Sequence, residues 1–210
     1  MKTTRRIFTL VLALMMVLSL SVTAFADSVT SAPTGTVTVM FTRGLSENTD
    51  DGNVWNNLEP SQHVLYAGGT VTLSALVGNS KTYVPTGTTD PMSGKASVMD
   101  AIMAANTSNV FVTGWDANPW VGNPGAYISN VNNTALESNY EETPDEEDSS
   151  IIHCHSYGTG FVVILKDANG NISFPSVYVS NIEPTDGMTI YVDLADYDYN
   201  WTKTAESSTN

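Results

Sequence analysis

Short segments in which apolar and other side chains alternate recur along the chain, and they constrain its fold more than any other feature. Val37, Val39 and Phe41 form the first of them. A repeat of two places successive side chains on opposite faces of an extended strand. Turn-forming residues bound these segments, which predict strands at residues 36–43, 70–77, 109–113, 127–131, 160–166, 172–179 and 188–194.

One segment has the helical repeat instead. Ser97 can cap a helix, and Asp100, three residues later, completes a capping box. The apolar residues between Val98 and Ala105 then fall mainly on one helical face. Many strands with one short amphipathic helix predict a β-rich α+β fold.

The N-terminus predicts export. Positive charges within residues 1–6 precede an apolar run from residue 7 to about residue 20, and residues 24–26 form a small-x-small cleavage triplet. The apolar run has about 14 residues, fewer than the roughly 17 to 25 that a membrane-spanning helix needs. We therefore expect residues 1–26 to be a cleaved signal peptide and the protein to be secreted without a stable membrane anchor.

The rest of the chain divides by composition. We expect a flexible leader at residues 27–35, one domain at 36–201 and a flexible tail at 202–210. Residues 141–148, with the sequence EETPDEED, have no apolar side chain. This acidic run predicts a solvated excursion from the domain.

The mature chain is strongly acidic. Removal of residues 1–26 leaves five basic and 22 acidic residues, hence a formal charge of −17. This charge repels phosphate backbones and anionic lipids, so we expect neither nucleic-acid nor membrane binding. Cys154 is the only cysteine, so no intramolecular disulfide can form and stability must come from burial and hydrogen bonds. An exported domain without a disulfide favours a bacterial source.

Three motifs follow one another along the chain: SVMDAI at residues 97–102, GAYISNV at 125–131 and DGMTIYV at 186–192. They resemble motifs of a bacterial extracellular domain family related to the C-terminal domain of transcobalamin and intrinsic factor. The resemblance covers about residues 70–200, apart from an acidic insertion at about 137–157. It implies a β-grasp-like domain that serves as a binding or surface module, with a corrinoid as one candidate ligand.

Two indoles lie in a loop rich in turn-forming residues, at 114–125. Trp115 and Trp120 can be presented outward there, and Tyr127 follows closely enough to share their surface. Such rings stack on sugars or flat rings, so these three residues are the predicted ligand site. The alternative is that one or both indoles cover the edge of the core.

Two further groups are candidate metal sites. His153 and His155 would project from one face of a strand, with Cys154 on the other face, so the two imidazoles could share a metal. Asp196 and Asp198 repeat the opening spacing of a calcium loop, without its glycine and its final glutamate. The alternatives are surface histidines beside a buried thiol and a solvated acidic surface.

No motif predicts a reaction. The sequence has no phosphate-binding glycine loop, no G-x-S-x-G elbow and no HExxH, and it identifies no cofactor. We therefore expect a secreted, non-enzymatic binding or interaction module whose partner is an extracellular small molecule, glycan or protein. The alternative is a cell-surface structural or adhesive component whose acidic surface, including Glu47, Asp50 and Asp51, is organised by calcium.

Overall fold

The structure, a computed structural model, describes residues 33–77, 81–90, 92, 94–118 and 123–204. The predicted signal peptide, most of the predicted leader and Trp120 lie outside these residues. All described residues except Pro33 belong to one compact unit. Within the described ranges, no helix has the length and apolar character needed to cross a membrane.

The described chain is β-rich and contains one α-helix, in agreement with the predicted fold class. The elements, in chain order, are β1 (Thr36–Thr49), β2 (Gly52–Trp55), β3 (Val64–Thr72), α1 (Val98–Ala105), β4 (Phe111–Asp116), β5 (Gly125–Val131), β6 (Ser138–Pro144), β7 (Ile151–Lys166), β8 (Ile172–Ser173) and β9 (Thr189–Thr204).

Seven of the described strands form one sheet, with β1 and β9 near its centre. The order is β2-β1-β9-β7-β6, β3 also pairs with β1, and β8 also pairs with β7. β1 and β9 run parallel, whereas every other described pairing is antiparallel. β4 and β5 form a separate hairpin.

The helix packs against the sheet and buries the main core. The Ser97 hydroxyl accepts the Asp100 N–H at 3.2 Å, and the Asp100 carboxylate accepts the Ser97 N–H at 2.8 Å. This capping box confirms the predicted start of the helix. The core beneath it includes Val37, Val39, Phe41, Val71, Val98, Met99, Ile102, Val131, Ile190 and Val192.

A smaller apolar cluster lies on the opposite sheet face. Leu45, Ile164 and Tyr191 are buried there, and the Trp55 ring centre lies 5.4 Å from that of Tyr191. β2 carries Trp55 to this place because it pairs antiparallel with the second half of β1. The centre of the sheet is therefore packed on both faces.

A buried carboxylate fixes a bulge in β1. Residues 44–46 stand opposite Ala195 alone, because the register of β1 on β9 shifts there. Asp193 is fully buried and bonds to this bulge and its flank. Its donors are the Thr42 hydroxyl at 2.8 Å, the Leu45 N–H at 3.3 Å, the Ser46 N–H at 3.0 Å and the Ser46 hydroxyl at 2.9 Å. Beyond the bulge, β1 resumes pairing with β9 from Glu47 to Thr49.

Strands β7 and β9 pair along 16 residues each, a length of about 50 Å. Their outer part continues past the core and is joined by β6. We call this part the distal sheet, and define it as residues 138–144, 151–159 and 196–204. Its side chains are largely exposed, so it presents two faces for contact with other molecules.

The predicted boundaries of the first strand are wrong. β1 continues to Thr49 instead of ending at residue 43, and the predicted loop at 44–62 contains the rest of β1 and all of β2. The polar residues that favoured a loop in the sequence are those of the bulge and of the β1–β2 hairpin. Ser46, in the bulge, bonds to Asp193, and most side chains of the hairpin are exposed to solvent. Polar residues are therefore compatible with a regular strand here.

The predicted strand at 70–77 is displaced. β3 ends at Thr72, and a 3-10 turn follows. The strand instead includes Gly68 and Gly69. A Cβ at Gly68 would come within 2.0 Å of the Val39 carbonyl oxygen, and a Cβ at Gly69 within 2.3 Å of the Ala105 carbonyl oxygen. Close approach of neighbouring backbones explains these two glycines.

The acidic excursion predicted at 141–148 is also corrected. Residues 141–144 belong to β6 and pair with β7, although their side chains are exposed as expected. The prediction of a flexible tail from residue 202 is wrong for residues 202–204, which belong to β9 and pair with β7. The strand expected at 172–179 shortens to β8, because Pro175 follows closely and has no N–H for a ladder.

Asp193→Ala should lower the free energy of unfolding by about 3 kcal/mol, because the buried donors of Thr42, Leu45 and Ser46 lose their acceptor. Denaturant unfolding followed by tryptophan fluorescence measures this change. Asp196→Ala, on the same strand but exposed, is the control and should change the free energy by less than about 0.5 kcal/mol. Equal losses in both variants would contradict the role of Asp193.

Candidate functional site

The two described residues of the predicted aromatic site lie on opposite faces of the β4–β5 hairpin. Trp115 pairs with Ala126, which is fully buried, and the indole packs against the main core. Tyr127 is 43% exposed, pairs with Gly114, and lies 5.9 Å from the Tyr178 ring. The hairpin therefore does not present these two rings on one surface.

The two histidines of β7 bind different carboxylates. His153 Nε2 lies 2.8 Å from Asp145 Oδ2, and His155 Nε2 lies 3.0 Å from Asp198 Oδ1. Cys154, between them, is 2% exposed. Among the described residues, no group of three or more acidic, histidine or cysteine side chains could hold a metal ion.

The acidic residues that the sequence suggested as two separate groups lie side by side. Glu47 of β1 is in register with Asp196 of β9, and Asp50 accepts the Asn200 N–H at 2.7 Å. An open groove of about 440 Å³ is bordered by Glu47, Asp196 and Glu137. This face of the distal sheet, which also carries the two histidines, is polar and negative.

The other face of the distal sheet is aromatic. Tyr197, Tyr199 and Trp201 occupy alternate positions of β9, so neighbouring rings start about 7 Å apart on the same side. Tyr140 of β6 lies beside this row, on the far side of β7, and its ring centre is 5.8 Å from that of Trp201. The Tyr197 and Tyr199 rings stack at 5.9 Å. We call these four side chains the aromatic face.

The outer end of the aromatic face is the most open. Tyr140 is 52% exposed and Trp201 is 44% exposed. The planes of the two rings are inclined by 30° to each other. An exposed pair of large rings on a sheet is typical of a contact surface.

Hydrogen bonds hold Tyr140 in place. Its hydroxyl donates to Glu142 at 2.6 Å, the Lys203 ammonium donates to the same carboxylate at 2.6 Å, and the Cys154 sulfur lies 3.4 Å from the hydroxyl. The contacts with Cys154 and Glu142 raise the pKa of Tyr140 to about 12. The phenol is therefore neutral, and Lys203 compensates the charge of Glu142.

The inner end of the aromatic face is a shallow groove of about 250 Å³ bordered by Tyr197, Tyr199 and Gly160. At Gly158 a Cβ would come within 2.1 Å of the Glu137 carbonyl oxygen. Glycine is required there by the approach of the chain that enters β6. Because Gly158 and Gly160 have no side chains, the Tyr197 ring can lie close against the sheet at these two positions.

The aromatic face is absent from the sequence-based predictions, although its signal is present. Tyr197, Tyr199 and Trp201 alternate with Asp196, Asp198 and Asn200, which is the repeat of a strand with one aromatic and one polar face. The comparisons with known proteins add no further assignment: no family model, curated protein or solved structure matches the chain.

The turn between β6 and β7 should respond to acid through Asp145. The hydrogen bond from His153, followed by the N–H groups of Asp148 and Glu147, lowers the pKa of Asp145 from 3.8 to about 2. A lowered pKa means that the stabilisation is present above about pH 4 and is lost as the pH falls toward 2.

Carboxyl NMR shifts followed against pH measure this effect. The Asp145 midpoint should lie near 2 in the wild-type protein and rise toward 4 in His153→Ala. His155→Ala is the control, because His155 bonds to Asp198 instead. A midpoint that is the same in His153→Ala as in the wild type would refute the pairing.

Proposed function

We propose that the protein is a secreted, non-enzymatic binding module that stacks neutral carbohydrate on its aromatic face. The observation that carries this proposal is the exposed pair Tyr140 and Trp201, continued along β9 by two further tyrosines. Sugar rings have apolar C–H faces that pack on flat aromatic rings, while their hydroxyls remain in water.

The dimensions and the charge of this face suit such a ligand. The row from Tyr197 to Trp201 covers about 14 Å, roughly the length of two or three hexose units. Glu142 is paired with Lys203, and the tyrosine pKa values that shift on this face shift upward. The surface is therefore close to neutral, whereas the overall charge of the chain disfavours anionic ligands.

We also propose a β-grasp fold for the domain. In support, the parallel pair β1–β9 is flanked by β3 on one side and by β7 on the other, and α1 lies in the chain between those two flanking strands. This arrangement is compatible with the resemblance to the transcobalamin C-terminal family. A corrinoid is accordingly the second ligand to test.

A structural or adhesive role organised by calcium is the second candidate. It is favoured by the register of Glu47 with Asp196, which places two carboxylates beside each other, although no described group of three or more metal-ligating side chains could hold the ion. Clustered carboxylates repel one another, so a bound cation should raise the melting temperature. A melting temperature that is equal in calcium and in chelator contradicts this role.

Trp201→Ala should weaken binding to a neutral polysaccharide by about tenfold, because the exposed indole contributes roughly 1.4 kcal/mol of stacking. Affinity electrophoresis through gels containing neutral glucans, xylans or mannans measures the change, and cobalamin titration tests the corrinoid. Tyr127→Ala is the matched control, since Tyr127 is about as exposed as Trp201 but lies on the β4–β5 hairpin.

The outcomes separate the candidate sites. Loss of binding in Trp201→Ala alone supports the aromatic face, and loss in Tyr127→Ala alone moves the site to the hairpin. No retardation by any of these polysaccharides would refute the carbohydrate proposal. Cobalamin binding that survives Trp201→Ala would place a corrinoid site outside the aromatic face.

A further inference from the structure

A buried lysine lies between two carboxylates in the segment before α1. The Lys81 side chain is only 9% exposed, and its Nζ lies 2.9 Å from Asp90 Oδ2 and 3.6 Å from Asp100 Oδ2. Despite these short distances, Nζ has no partner in hydrogen-bond geometry among the described residues. The contact with Asp90 is thus an electrostatic one that leaves the nitrogen free of directed bonds.

The two carboxylates have different surroundings. Asp100 accepts the Tyr83 hydroxyl at 2.8 Å, the Ser97 N–H at 2.8 Å and the Ser97 hydroxyl at 2.9 Å, so its position is fixed. Burial raises the pKa of Tyr83, which keeps that donor neutral. Asp90 has its Oδ1 bonded to the Met92 N–H at 3.0 Å, which leaves Oδ2 directed at the lysine.

We propose that Lys81 and Asp90 join in an intramolecular isopeptide bond, with Asp100 moving the protons. The Lys81 ammonium gives up a proton, through Asp100, to the Asp90 carboxylate. The neutral amine then attacks Asp90 Cγ, a new C–N bond forms, and the C–O bond breaks. A second proton from nitrogen leaves with that oxygen as water, and Asp100 ends as the carboxylate it was at the start.

The surroundings favour this condensation over the free ion pair. The nucleophile and the acid are held in contact, which removes the entropic cost of bringing them together. The Lys81 nitrogen is buried and the Asp90 side chain is 24% exposed, so water has limited access to the pair, and the product replaces the buried ammonium and its partly buried carboxylate by one neutral amide. Asp90 precedes Pro91, whose nitrogen has no hydrogen, so the carboxyl cannot be lost to a succinimide with the next backbone N–H.

The chain contains a matched surface pair. Lys95 Nζ and Glu183 Oε2 also lie 2.9 Å apart, but their side chains are 54% and 44% exposed. Solvent reaches both groups and supplies competing hydrogen bonds. Equal distance with unequal burial makes this pair the internal control for the reaction.

Mass spectrometry of the purified protein tests the proposal. The intact mass should be lower than that of the mature sequence by one water molecule. Trypsin cuts after Arg43, Lys81 and Lys95, but an acylated Lys81 resists cleavage. The digest should therefore contain a single peptide 44–95 that lacks one water, in place of peptides 44–81 and 82–95.

Variants locate the bond and its proton carrier. Lys81→Arg should restore the full mass, Asp100→Asn should leave a large uncrosslinked fraction, and Lys95→Arg should keep the loss of one water. The unmodified peptides 44–81 and 82–95 from wild-type protein would overturn the proposal, and this result does not depend on whether any variant folds. A water loss that persists in Lys81→Arg would also overturn it.

Discussion

The hydrogen bonds to Asp193 determine how far the sheet can extend. A fully buried carboxylate is unfavourable unless donors surround it, and here the donors come from Thr42 and from the adjoining bulge where the register of β1 on β9 shifts. Because the bulge is held in a single conformation, β1 returns to β9 at Glu47. The distal sheet therefore begins from a strand pair whose register is fixed.

That register assigns opposite characters to the two faces of the distal sheet. Side chains at alternate positions of β9 belong to different faces, so a shift of one residue would exchange aspartates and aromatic rings. The polar face places Glu47 beside Asp196, and the aromatic face places Trp201 beside Tyr140. A single structural constraint near the core thus underlies both candidate binding surfaces.

Local features of the fold could be predicted from the sequence, whereas distant pairings could not. The helix start depends on Ser97 and Asp100, which are three residues apart, and it was predicted correctly. The bulge depends on Asp193 and on partners 147 to 151 residues away, so no local pattern indicates it. Trp201 carries the strand repeat, but only the fold brings Tyr140 next to it.

The parallel arrangement of β1 and β9 also determines how the domain bears mechanical load. The two strands start at the same end of the sheet, since Thr38 is in register with Thr189. Tension between the start of β1 and the end of β9 pulls them in opposite directions along their common axis. Their hydrogen bonds are then strained together in shear rather than opened one at a time, so a tethered copy of this domain would resist stretching strongly.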